Sequence, residues 1–134
     1  METAHFVTFL SALPDDSFEE NGETVRPRGH NVAEIITAEL REKEMSVSIV
    51  QRYGFNGWTF EGSARSVPFW CFLGYAEPWL LIVKDRRWFA NRLFGSVEPF
   101  VSVLQQFDLV IDASEHFSAL KWFTPREYGK TNGE

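Results

Sequence analysis

The chain has 134 residues, 44% hydrophobic and 16% aromatic, and a net charge of −6. That size sets one domain, 1–134, which can bury about two-thirds of its unfolded surface without a disulfide or metal. Its one cysteine excludes an internal disulfide, and its uncharged apolar runs, such as Pro78–Val83, are far too short to span a membrane.

Phe6–Leu10 is β-branched and aromatic and reads as a first strand, ended by Leu13-Pro14-Asp15-Asp16. With Glu2 before it, this stretch is also too short and too acidic for a secretory leader, so a reducing cytoplasm is the expected location. Residues 15–29 form a long polar connection with an Asn21-Gly22 turn and a short edge strand at Thr24–Arg26. Asn31 is the expected N-cap of a helix running to about Glu44, with Glu34 as its capping-box partner. Val32, Ile35, Ile36 and Leu40 make its buried stripe.

Val47–Val50 reads as the next strand, Gly54–Gly57 as a turn, and Trp58–Glu61 as a strand with one apolar face. Gly62–Arg65 turns the chain. Val67–Leu73 is apolar on both faces, as in a central strand covered on both sides or by a partner. Cys71 lies within it and reads as a small buried hydrophobe. Trp79–Val83 completes a meander. A short helix is expected at Arg86–Phe94, and Ser96 starts another that buries Phe100, Val103, Leu104, Phe107, Val110 and Ile111. Ala119–Thr124 is a last strand, and Gly129–Glu134 a frayed tail. The expected fold is α+β, order β-α-β-β-β-β-α-β, with a single antiparallel or mixed sheet of five to six strands and two main helices.

Charge is segregated along this order. Residues 1–50 sum to −6, 51–95 to +3 and 96–134 to −3. The basic excess gathers in an Arg-aromatic segment, 84–92. The acidic excess divides between a loop with Asp15, Asp16, Glu19, Glu20 and Glu23 and a helix face with Glu34, Glu39 and Glu42. His5, His30 and His116 are scattered without a Cys or His at ligand spacing, so no metal site is assigned. No nucleophile elbow, phosphate loop or dinucleotide fingerprint is present, so no enzyme activity and no cofactor are assigned. The overall negative charge opposes nucleic-acid binding.

A small, acidic, cytoplasmic α+β chain of this composition resembles the immunity proteins of bacterial toxin systems, in size, charge and architecture across its whole length. The resemblance implies a protein-binding module that holds a cognate, basic toxin inactive. Physically, the acids named above would steer the partner, and Phe18, Phe55 and Trp58 near turns would anchor it. The alternatives are a non-catalytic structural or regulatory homo-oligomer, built on the doubly apolar strand, and a small-ligand-binding domain.

Overall fold

Alternation in the strands and a 3.6-residue stripe in the helices meet in one core. The computed structural model describes residues 4–87 and 97–131. Its strands are β1 Phe6–Ser11, β2 Phe18–Glu20, β3 Glu23–Arg26, β4 Ser46–Val47, β5 Gln51–Tyr53, β6 Gly57–Ala64, β7 Val67–Gly74, β8 Trp79–Asp85 and β9 Phe117–Phe123. The helices among the described residues are α1 His30–Glu42, α2 Glu98–Ala113 and α3 Pro125–Thr131. Strands β4-β6-β7-β8-β1-β9 lie side by side, β5 also pairs with β6, and β2 pairs only with β3. Every pairing is antiparallel. The α+β class follows the sequence expectation, while the strand expected at Thr24–Arg26 pairs with β2 in a separate two-stranded sheet and is not an edge of the main one.

The main sheet has seven strands rather than five or six. The expected strand Val47–Val50 splits into β4 and β5, which occupy successive lengths of the same edge of β6. Ser48 causes the break. Its hydroxyl accepts the Glu61 N–H at 3.0 Å while its own N–H donates to the Glu61 carbonyl at 2.7 Å. A serine side chain here takes over a ladder position from the backbone. The turn expected at Gly62–Arg65 is instead Arg65-Ser66, both with positive φ, and β6 runs through Gly62. A Cβ at Gly62 would run into the Ser46 carbonyl, so this glycine serves close strand approach.

Alternate residues of the central strands face the helices. Val67, Phe69, Cys71 and Leu73 on β7, Leu81 and Val83 on β8, and Val7 and Phe9 on β1 are buried. They meet Val32, Ala33, Ile36 and Leu40 of α1 and the six expected α2 residues, all buried. Phe69 and Phe107 pack edge-to-face at 5.1 Å. Each fully buried side chain of this kind contributes roughly 1.5–3 kcal/mol. Residues of the opposite, outer face (Phe6, Trp70, Phe72, Leu80 and Ile82) are only half-buried. There α3 covers one corner, where Tyr128 packs on Phe6 at 5.3 Å and on Phe123 at 6.0 Å.

Three further expectations change. Helix α1 starts at His30, so Asn31 is inside it and the N-cap is Gly29 at φ 111. The tail expected from Gly129 is helical to Thr131, because Thr124 and Glu127 cap α3 reciprocally at 2.8 and 3.1 Å. Arg86 and Arg87 are not helical, and the rest of the helix expected over Arg86–Phe94, with the Ser96 cap, lies outside the described residues. The cap of α2 falls at Val97.

Candidate functional site

The acids of the 15–23 loop divide by role. Asp15 accepts the Ser17 N–H at 2.8 Å and lies 3.9 Å from Arg28. Hydrogen bonds from Ser17 hold its carboxyl below the ordinary 3.8, with desolvation opposing and Arg28 helping. Asp16 reaches across to α1, where its two oxygens accept the Gly29 and Asn31 N–H groups, each at 2.8 Å. A glycine N-cap has no side chain to offer, and a carboxylate from the preceding loop supplies the missing acceptor. Both aspartates are therefore used within the fold.

Glu19, Glu20 and Glu23 are not. They stand exposed on the β2–β3 hairpin, whose Asn21-Gly22 turn has φ values of 55° and 81°. That pair of left-handed residues is the two-residue hairpin geometry which Asn-Gly favours. Glu20 and Glu23 are direct cross-strand partners. Like charges placed so are destabilising, and no described cation lies within 4.0 Å of any of the three glutamates. Phe18 on the same hairpin is 54% exposed.

Arg52 brings a second aromatic to this hairpin. Its guanidinium donates to the Val25 carbonyl at 2.5 Å and the Thr24 carbonyl at 3.4 Å. It also donates to the Gly54 carbonyl at 2.5 Å and lies 4.8 Å from the centre of the Phe55 ring. Phe55 is 71% exposed. Two segments far apart in sequence are thus held side by side, presenting three glutamates and two rings to water. Arg52 is a residue of this candidate site that sequence reasoning missed, because nothing local marks an arginine whose partners lie 27 and 28 residues away.

The remaining expected residues lie elsewhere. Trp58 is buried and donates its indole N–H to the Pro27 carbonyl at 3.2 Å, so it braces the loop and offers no exposed ring. Glu34 pairs with His30 at 3.2 Å, and the imidazole Nδ1 accepts from Arg26 at 2.6 Å. Glu39 is half-buried, with Oε1 unpartnered among the described residues. Glu42 is exposed at the end of α1.

Arg86 and Arg87 are neutralised locally. Arg86 pairs with Glu61 at 2.7 Å, and Arg87 grips Asp85 through bonds of 2.6 and 3.0 Å. Tyr53, Trp70, Lys84, Asp85, Arg86 and Arg87 line an open cleft of about 550 Å³. These ion pairs of Arg86 and Arg87 thus run to acids of their own sheet region, Glu61 and Asp85. No three His, Cys, Asp or Glu converge as a metal site among those residues, and none of their helices is long and apolar enough to cross a membrane. Comparisons with protein families, curated proteins and solved structures found no match to this chain.

Proposed function

We propose that the chain is a protein-binding module that neutralises a basic partner, docking it on the β2–β3 hairpin beside Phe55. The observation that carries this reading is the cross-strand pair Glu20–Glu23, exposed and unmatched by described cations next to two exposed rings. The arrangement costs the free protein stability, and a Lys- or Arg-rich surface relieves that cost on binding. Phe18 and Phe55 supply the apolar contact that sets residence time, while the glutamates set encounter rate. The finer reading is toxin immunity in a bacterial cytoplasm, supported by size, acidity and this surface. It assigns binding, and no catalysis, to the chain.

A toxin-bearing gene immediately upstream, where the genome carries one, supplies the partner to test. Co-expression with its product should protect the host cell. Stopped-flow mixing should show association slowing tenfold or more, on the order seen for steered encounters, as salt rises, with dissociation nearly constant. Glu20→Lys/Glu23→Lys should slow association, and Phe55→Ala should speed dissociation. Failure to protect refutes the immunity reading. Salt-independent association, or unchanged binding by both variants, refutes the docking site.

A further inference from the structure

We propose that the outer face of the sheet is a homodimer interface, with two copies packed outer face to outer face along β7. This face is distinct from the hairpin, and the inference does not rest on the partner reading above. Trp70 and Phe72 of β7, Leu80 and Ile82 of β8, and Phe6 of β1 form a contiguous half-buried apolar patch. Tyr53 leans over it, 6.2 Å from Trp70 and 5.5 Å from Phe72. An apolar sheet face of this kind is a surface on which a second sheet packs. The sheet edges do not offer a comparable route. On one side β4 and β5 are short and interrupted, and on the other β9 carries exposed Lys121 and an irregular register, with Ala119 at φ 56.

Charge identifies a second copy as the occupant. Register places Glu61, Trp70 and Lys84 side by side on β6, β7 and β8, with the Lys84 ammonium 5.8 Å from the Trp70 ring. Opposite charges therefore flank one ring at two strand spacings, about 10 Å apart. A two-fold axis lying between the sheets and running along β7 over Trp70 brings Lys84 of each copy above Glu61 of the other. Facing sheets stack about 10 Å apart with strands within about 30°, which both side chains can bridge. Arg86 holds Glu61 at 2.7 Å and orients its carboxylate.

Sedimentation equilibrium tests this on the full chain. Wild type should sediment at twice the 15.5 kDa chain mass. Lys84→Glu and Trp70→Glu should each weaken the dimer, by about tenfold or more for the charge reversal, without changing the circular dichroism spectrum. Lys84→Glu/Glu61→Lys should restore it, and Glu20→Lys/Glu23→Lys should leave it intact. If Trp70→Glu fails to fold, Lys84→Glu is decisive alone, since Lys84 is exposed. A wild-type monomer at millimolar concentration, or a dimer indifferent to Lys84→Glu, overturns the proposal.

Discussion

Asp16 and Glu20 sit four residues apart with opposite assignments, and replacing each by alanine tests that division. Asp16 stands in for the side chain that the Gly29 N-cap lacks, accepting two N–H groups at 2.8 Å with its own side chain 19% exposed. Losing a cap acceptor costs about 1 kcal/mol. The second bond to an ionised oxygen at the positive end of α1 adds about another 1 kcal/mol. The ion pair to Arg26, at 3.7 Å and 44% exposed on the arginine side, adds little. Asp16→Ala should therefore cost about 2 kcal/mol. Asp16→Asn retains one acceptor oxygen and should cost about half as much. Glu20→Ala removes repulsion from Glu23 and should be neutral or stabilising by a few tenths, about 0.2–0.5 kcal/mol. Urea unfolding with a shared m-value reads all three. A stable Asp16→Ala variant, or a Glu20→Ala variant that loses as much, refutes the reasoning.

The Cys71 thiol is fully buried and desolvation pushes its pKa well up, so a thiol reagent should modify it only as fast as the protein opens. Asp15, held low chiefly by Ser17, should titrate below 3.8 in carboxyl-carbon NMR. Its stabilising contribution is complete above the unfolded value and fades as pH falls through the folded one. Ser17→Ala removes the hydroxyl and keeps the N–H, so the midpoint should move part of the way upward, and an unmoved midpoint refutes the hydroxyl as the larger cause. Ser48→Ala strips the Glu61 N–H of its acceptor. It should cost about 1 kcal/mol and speed hydrogen exchange at that amide.

Periodicity made the core legible. The α2 stripe was readable because burial of one helix face imposes a 3.6 repeat on the chain itself, and Val67–Leu73 because a short run apolar at every position marks a central strand. Interruptions were less so. Ser48 breaks its strand through a hydroxyl bonded 13 residues away, and Gly62 resembles a turn residue until Ser46 is known to pass beside it. One local signal went unread. Thr124-Pro125-Arg126-Glu127 is a capping box with proline at the first helical position, and it forms α3.

The candidate site was legible as composition but not as a division of labour. Sequence counts five acids over residues 15–23 and cannot show that two are consumed by Ser17, Gly29 and Asn31. Those bonds fix the route of the loop into α1, and that route leads through the hairpin carrying the other three. Arg52 then holds the hairpin against the Phe55 turn. The charge segregation is thus not cancelled between segments, because Arg26 and Arg28 meet Asp16 and Asp15 nearby, as Arg86 and Arg87 meet Glu61 and Asp85. Local pairing accounts for the acids that support the fold. Among the acids it leaves exposed is the Glu20–Glu23 pair, an arrangement that stability alone disfavours and that an approaching cation makes favourable.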